Sequence, residues 1–395
     1  MPSYPHAIRL RGPWDYKILA LAPTSTDERG QRRDDMADLA AAGRTTLPCD
    51  WGDTPGPGFR GRVRYRRRFN RPSGLDPHER VWLVVEGADA RARVTLNGRD
   101  LGEIPAYALH REFDVTEWVG PRNELNLEVE LSAAEMGGQG VLRPGRELKP
   151  GGPIGEVRLE VRSTVFISHL AVWAQEEQGA GRLRVAGRIG GEAEGPSLAV
   201  VVGGCERELI YGEVPVGESF ELAEWIPELP RWAPVSGGHA TLPLEIKLVA
   251  GGSAAWRTIR RAACSRIVWE HAMSRLVVAG KAVELPVPAI DPPAREIDER
   301  RLSEWLATLG LPSGAAVGLR EILSDLWYGR FDATGCQVVQ FVPLAWADEV
   351  CARLAHHPSI VAWTAPADEI ARTRREQRTL ATFGRPWIAS ETALG

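Results

Sequence analysis

Few side chains in this 395-residue sequence have the types and spacing that metal, phosphate or serine chemistry requires. His356 and His357 are adjacent, but no third or fourth ligand stands at the spacing of a metal site. The glycine-rich segments GGQG and VVGGC lack the strand, turn and helix pattern of a phosphate-binding loop, and G-x-S-x-G does not occur. We therefore predict no metal ion and no cofactor, which leaves carboxylates as the groups for acid–base or nucleophilic chemistry.

The composition is that of a globular protein, with 44% hydrophobic residues, 25% charged residues and a net charge of -4. The charge balance provides no basic field, so we expect no nucleic-acid partner. No stretch approaches the roughly 18 consecutive apolar residues that span a bilayer, so we expect no membrane partner. The first thirty residues lack the apolar core of a secretory signal, which predicts a cytoplasmic location.

Two residue types carry further information about the interior. The five cysteines form no close pair, and their odd number cannot be paired within one chain, so reduced and mostly buried thiols are predicted. They are Cys49, Cys205, Cys264, Cys336 and Cys351. Most of the 14 tryptophans are predicted to fill cores, although tryptophan also stacks on sugar faces.

The first two thirds of the sequence alternates polar and apolar residues with a period of two, which predicts β-strands. Between Phe59 and Leu131 these strands are closely spaced, and Asn97-Gly98 supplies a tight hairpin turn. The Gly- and Pro-rich segment Gly137–Gly155 is predicted to be a loop. A second set of strands, starting with Glu156–Arg162 and ending at Ala250, fits one immunoglobulin-like sandwich.

After about Cys264 the pattern becomes helical and alternates with short apolar runs, which predicts an α/β domain with a parallel sheet. The predicted helices carry apolar residues at Leu302–Leu309, Leu319–Leu326 and Ala347–Leu354, with Asp298 as the N-cap of the first and a further charged helix at Asp368–Phe383. The five predicted strands are Val283–Ile290, Ala315–Leu319, Gln337–Val342, Ile360–Trp363 and Trp387–Ser390.

Several motifs in this order resemble glycoside hydrolase family 2, the family of β-galactosidases, β-glucuronidases and β-mannosidases. In the family a segment like F-x-G-x-x-x-Y-x-x-x-F opens the first domain, and FRGRVRYRRRF has this form. The family's V-x-x-N-G-x-x-x-G hairpin also has a match here, and so does the stretch with Asp-x-Thr and Asn-x-Leu that follows it. The segment LAHHPSIVAW is similar to the fourth barrel strand of the family. The matching residues are Phe59, Gly61, Tyr65, Phe69, Val94, Asn97, Gly98, Gly102, Asp114, Thr116, Asn123, Leu125 and the run Leu354–Trp363.

The resemblance implies a multidomain β plus α/β protein. Residues 1–150 would form a jelly-roll, sugar-binding-like β-sandwich, residues 151–265 an immunoglobulin-like β-sandwich, and residues 266–395 a truncated (β/α) barrel-like domain. The implied activity is hydrolysis of terminal β-linked glycosides by a retaining mechanism, with a carbohydrate as the substrate or ligand.

The resemblance also implies the site residues. The fourth family strand ends in Asn-Glu, whose Glu is the acid/base and whose Asn holds the sugar hydroxyl next to the anomeric carbon. Alignment without a gap places Asp368 at the Glu position, and a one-residue insertion places Glu369 there. Glu391, in GRPWIASET, matches the context of the family nucleophile, and Trp363 and Trp387 are the predicted substrate-binding aromatics.

Chain length argues against full activity. A complete eight-stranded barrel takes about 250 residues, roughly twice the length of the chain after Cys264, and only one helix separates Asp368 from Glu391. A shortened domain covered by the sandwiches, a domain completed by another copy in a homo-oligomer, or a damaged reading frame would each explain this. The alternatives left open are an impaired glycosidase, a pseudoenzyme, a non-catalytic carbohydrate-binding or assembly protein, and a structural scaffold with no affinity for sugars.

Overall fold

The computed structural model divides into two compact units, Met1–Ser163 and Thr164–Gly395. The structure describes residues 5–22, 42–49, 51–52, 55–56, 59–88, 91–105, 111–131, 151–153, 155–191, 198–204, 208–234, 240–250, 253–290, 292, 299–312, 314–323, 325–376 and 380–394. Most of the predicted Gly137–Gly155 loop lies outside the described residues, as do Cys205 and Asp298. Among the described residues, no helix has the length and apolar character needed to cross a bilayer.

The described residues of the first unit form two antiparallel sheets. One has four strands in the order β1-β10-β5-β8, and the other has six in the order β3-β2-β4-β9-β6-β7. Along Arg122–Leu131 every second side chain is buried, as the period-two pattern predicts. The strands are β1 (His6–Arg9), β2 (Trp14–Leu21), β3 (Ala42–Thr45), β4 (Gly61–Asn70), β5 (Glu79–Val85), β6 (Arg91–Leu96), β7 (Arg99–Ile104), β8 (Arg111–Asp114), β9 (Arg122–Leu131) and β10 (Val157–Ser163).

The family-like motifs of the first unit have structural roles. Gly61 begins β4 with a φ of 152°, and a Cβ there would lie 2.1 Å from the carbonyl oxygen of Ala20. Asn97 and Gly98 have φ values of 53° and 80°, which confirms the predicted hairpin turn. The Asn97 side chain donates to Asn123 Oδ1 at 3.0 Å, so the two asparagines hold the turn against β9.

Among the described residues, the second unit begins with seven strands in two antiparallel sheets, β11-β12-β15 and β14-β13-β16-β17. This count is that of a constant-type immunoglobulin sandwich. The strand at Glu156–Arg162, which we grouped with this set, instead forms β10 and pairs with β1 and β5. The seven strands are β11 (Val165–Glu177), β12 (Ala180–Gly191), β13 (Leu198–Gly203), β14 (Leu209–Tyr211), β15 (Ser219–Trp225), β16 (Leu242–Ala250) and β17 (Ser253–Ala262).

A three-stranded antiparallel sheet leads into a five-stranded parallel sheet, β21-β22-β23-β24-β25, which confirms the predicted parallel sheet. The three leading strands are β18 (Ile267–Glu270), β19 (Arg275–Val278) and β20 (Lys281–Val283). The parallel strands are β21 (Ala289–Ile290), β22 (Ala316–Leu319), β23 (Gln337–Phe341), β24 (Ile360–Ala365) and β25 (Trp387–Ala389). The helices are α1 (Glu299–Thr308), α2 (Asp325–Thr334), α3 (Ala347–Leu354), α4 (Ala367–Arg375) and α5 (Ser390–Ala393).

The parallel sheet does not establish the predicted barrel. Its five strands pair in one row, and no strand-to-strand pairing among the described residues joins β25 to β21. An isolated parallel bridge links Leu394 to Val287, so the chain after β25 runs beside the residues that lead into β21. The Val287 N–H donates to Ala393 O at 3.0 Å, which fixes this return.

Two predicted helices differ from the observed ones. The residues Leu319–Leu326, which were predicted to form one helix, belong to three elements. They comprise the end of β22, a loop in which Ile322 and Leu323 are buried, and the start of α2. A buried strand followed by a buried loop imitates the helical repeat. The charged helix α4 ends at Arg375, well before Phe383.

Candidate active site

Strands β24 and β25 bring the three candidate carboxylates to one edge of the parallel sheet. The two strands are parallel neighbours, with Ala365 paired to Ala389 at their carboxyl ends. Because the run IVAWTA is buried throughout, it forms a central strand. Pro366 ends this strand and precedes the first turn of α4, which contains Asp368 and Glu369.

Glu391 lies in α5, directly after β25, and its carboxylate reaches the N-terminus of α4. The Ala367 N–H donates to both carboxylate oxygens of Glu391, at N···O distances of 3.4 Å and 3.2 Å. A negative charge is favourable at a helix N-terminus. The structure therefore places the Glu391 carboxylate against the residue that precedes Asp368.

Asp368 and Glu369 differ in environment although they are adjacent. Asp368 is exposed, whereas Glu369 is half-buried. Burial raises the pKa of Glu369 above its usual range; Arg372 opposes this shift and the charge of Asp368 adds to it. A carboxyl group that keeps its proton to higher pH has the property of a general acid.

The two predicted substrate-binding tryptophans lie in different environments. Trp363 is fully buried in β24, and its indole N–H donates to Thr382 O at 2.9 Å. In this position it presents no free face to a sugar. Trp387 is half-buried and lines a cavity of about 290 Å³ together with Trp269, His271 and other side chains.

This cavity and the carboxylates are separated along β25. Trp387 begins the strand, whereas Glu391 follows its carboxyl end. The structure thus brings Glu391 together with the first turn of α4 and does not bring Trp387 to the same end of the sheet.

A second polar cluster lies at the amino-terminal end of β24, and the sequence indicated only its two histidines. His357 is buried, and its Nδ1 lies 2.7 Å from Asp332 Oδ2 in α2. Asp325, at the start of α2, has a carboxylate oxygen 4.0 Å from His357 Nε2. Burial opposes the charge of His357, but Asp332 and Asp325 raise its pKa to about 9. Asp332 stands four residues after Tyr328, on the helix face that carries the buried Trp327 and Phe331, and this spacing was the signal that could have indicated the partner.

Comparison with known proteins identifies the N-terminal domain. Residues 60–161 match the model of the glycosyl hydrolase 2 galactose-binding domain-like family. No curated protein matches the chain by sequence.

Solved structures of glycosidases share the fold. A β-glucuronidase from Ruminococcus gnavus, in complex with a uronic isofagomine, aligns with a TM-score of 0.74 at 15% identity, over 98% of this chain and 74% of that one. A β-glucuronidase from Bifidobacterium dentium, complexed with coumarin-3-O-glucuronide, aligns with a TM-score of 0.71 at 16% identity and the same two coverages. A calcium-binding mutant of Bacteroides uniformis β-glucuronidase 2 aligns with a TM-score of 0.68 at 16% identity, over 91% of this chain.

Residues 60–161 therefore match the glycosyl hydrolase 2 domain that the sequence motifs indicated, and the chain is similar in fold to solved glycosidases. The family model identifies the N-terminal domain, and at these identities the structural likeness establishes the fold alone. The chain spans 47% of the Bacteroides uniformis β-glucuronidase 2 that it matches.

Proposed function

We propose that the protein acts on terminal β-linked glycosides, such as mannosides, galactosides or glucuronides, by a retaining mechanism with reduced activity. The observation that carries this proposal is the meeting of Glu391 with the first turn of α4, where Glu369 and Asp368 lie. A retaining glycosidase needs two carboxyl groups about 5–5.5 Å apart, one as the nucleophile and one as the acid/base.

In the proposed mechanism Glu369 is the acid/base and Glu391 is the nucleophile. Glu369 donates its proton to the glycosidic oxygen as the bond to the leaving group breaks, while a Glu391 oxygen bonds to the anomeric carbon. Glu369 then removes a proton from water, whose oxygen attacks the same carbon and releases Glu391. Two inversions give net retention. The partial burial and raised pKa of Glu369 support this role over the exposed Asp368.

Two features support reduced activity. The Ala367 N–H donates to both oxygens of Glu391, and a hydrogen bond to a carboxylate stabilises its charge and so makes it a weaker nucleophile. With Glu369 as the acid/base, Asp368 stands where the family has an asparagine, so the amide that would hold the sugar is replaced by a carboxylate. Misplacement of a reacting group by an ångström can cost on the order of a hundredfold in rate.

The test is turnover of methylumbelliferyl β-mannoside, β-galactoside and β-glucuronide by the full chain. We expect slow hydrolysis of at least one substrate and its loss in Glu391→Gln. Glu376→Gln, which changes an exposed glutamate at the C-terminal end of α4, is the matched control and should keep wild-type turnover. Turnover that is equal in the wild type and in Glu391→Gln contradicts the proposal.

A non-catalytic carbohydrate-binding protein is the second candidate, and the cavity beside Trp387 favours it. Trp269 and Trp387 offer aromatic surfaces of the kind that stack on sugars, and Arg374 supplies a charged group at the same cavity. Calorimetry with oligosaccharides distinguishes the two candidates. Binding that survives combined substitution of Asp368, Glu369 and Glu391 but is lost in Trp387→Ala supports this second function.

A further inference from the structure

We propose that Asp325, His356 and His357 form a binding site for a divalent transition-metal ion such as Zn²⁺. One ligating atom from each residue lies within 4.8 Å of the other two. Two imidazoles and one carboxylate are ligands that Zn²⁺ accepts, and three protein ligands leave a fourth position open. The sequence shows only the adjacent histidines, because Asp325 joins them through the packing of α2 on the residues that precede β24.

His357 is oriented as a metal ligand would be. Its Nδ1 contacts Asp332 Oδ2 at 2.7 Å, and the other oxygen of Asp332 accepts the Ser359 N–H at 3.0 Å, so the carboxylate is fixed from both sides. Ligating histidines usually donate their second nitrogen to a carboxylate or a carbonyl in this way. The remaining nitrogen, Nε2, is buried and has no hydrogen-bond partner. His357 is only 4% exposed, and Asp325 Oδ1 lies 4.0 Å from Nε2, so this nitrogen is a potential ligand atom in the interior that faces a second potential ligand.

His356 and Asp325 are the other two potential metal ligands, and they come from different parts of the fold. His356 Nδ1 contacts Arg353 O at 3.0 Å, which leaves Nε2 of this ring as the available ligand atom. The two imidazole rings have centroids 4.0 Å apart. Asp325 lies in the first turn of α2 and its side chain is half exposed, so its carboxylate can rotate toward an ion.

Neighbouring charges limit the affinity of the site. Arg353 Nη2 lies 3.7 Å from Asp325 Oδ1, and Arg260 also acts on Asp325 through its charge. The Asp332 carboxylate offsets part of this positive charge. The competing arrangement is a protonated His357 held between Asp332 and Asp325, which requires no ion. A metal must displace that proton, because a ligating histidine is neutral.

The test is titration of the full chain with Zn²⁺ by calorimetry at pH 8, together with Co²⁺ absorption in the visible range. We expect one Zn²⁺ per chain, a rise in the thermal unfolding temperature, and a cobalt spectrum of a site with nitrogen and oxygen ligands. Asp325→Asn and His356→Ala should each weaken binding at least about tenfold.

Two matched variants control for binding elsewhere. Asp348→Asn changes an exposed aspartate in the first turn of α3, and His6→Ala removes an exposed histidine of the first unit; both should bind Zn²⁺ as the wild type does. Circular dichroism of each metal-free variant reports whether it is folded. The absence of stoichiometric binding, or binding that is equal in the wild type and in folded Asp325→Asn and His356→Ala, overturns the proposal.

Discussion

Glu369 and Asp368 are neighbours in the chain, yet only one of them has an environment suited to proton donation. Glu369 is half-buried beside the charge of Asp368, and its pKa is raised mainly by burial. Asp368 faces solvent. The sequence left both residues open as the acid/base, and the difference in burial is the feature that separates them.

The raised pKa of Glu369 predicts the direction of a pH dependence. The protonated form of Glu369 is the general acid, so kcat/KM should fall as the pH rises through the pKa of Glu369. Glu369→Gln should lower turnover of substrates with poor leaving groups by about 10²–10⁴-fold and remove this decline. Asp368→Asn should keep the decline, although it moves to lower pH because a charge that raises the pKa is removed. A decline that persists in Glu369→Gln would exclude this residue as the acid.

The buried thiols make a prediction that is independent of catalysis. Burial raises the pKa of Cys336 to about 12 and that of Cys351 well above its ordinary value. Because the thiolate is the reactive form, both should resist iodoacetamide at pH 8 in the folded protein and react after unfolding. Peptide mapping by mass spectrometry measures the labelling at each cysteine. Labelling of either residue in the native protein at the rate seen in denaturant would contradict the observed burial.

The start of β4 depends on a glycine. Gly61 has a positive φ, and a Cβ there would overlap the Ala20 carbonyl oxygen of β2. Gly61→Ala should therefore lower the free energy of unfolding of the first unit by about 2 kcal/mol or more. Gly120→Ala is the control, because this glycine has ordinary backbone geometry and a contact of 3.9 Å. Denaturant unfolding followed by tryptophan fluorescence provides the comparison, and equal midpoints for the two variants would refute this role of Gly61.

The strands and helices show where sequence periodicity is reliable and where it fails. The helix α3, with its regular apolar spacing, was predicted at its observed bounds, and long strands such as β9 show the predicted alternation. The charged helix was predicted to extend to Phe383, but it ends at Arg375. Residues after the helix supply backbone acceptors for two tryptophan side chains. The carbonyls of Ala381 and Thr382 accept the indole N–H groups of Trp387 and Trp363, so these residues serve as a loop that holds two tryptophans.

The arrangement of the parallel sheet could be predicted only in part from the sequence. Its five strands were predicted, but the bridge between Val287 and Leu394 was not, because a single pairing distant in sequence leaves no periodic signal. Leu394 also packs over Gly318, where a Cβ would lie 2.4 Å from its side chain. The candidate carboxylates could be named from motifs, whereas their meeting at the N-terminus of α4 depended on the register of β24 and β25.

The cluster around His357 shows the same limit over a longer distance. Asp325 and Asp332 are on a helix that precedes His357 by one complete strand and one further helix. The packing of the helix against the sheet determines which side chains meet in this cluster. The spacing of residues in the sequence does not reveal that packing. Local patterns predicted the antiparallel strands of the first unit but placed β10 in the second, and they did not predict the polar clusters of the second unit.

The most direct measurement of the proposed chemistry is covalent trapping of the nucleophile. Activated β-glycosides that carry fluorine next to the anomeric carbon slow the release of the glycosyl–enzyme intermediate, which then accumulates. With mannosyl, galactosyl and glucuronyl forms, we predict that intact-mass analysis shows one sugar per chain for at least one of them. Peptide mapping should locate it on Glu391, and Glu391→Gln should remain unmodified. An adduct on another residue, or no adduct with any of the three sugars, would contradict the assignment of Glu391 as the nucleophile of a retaining glycosidase.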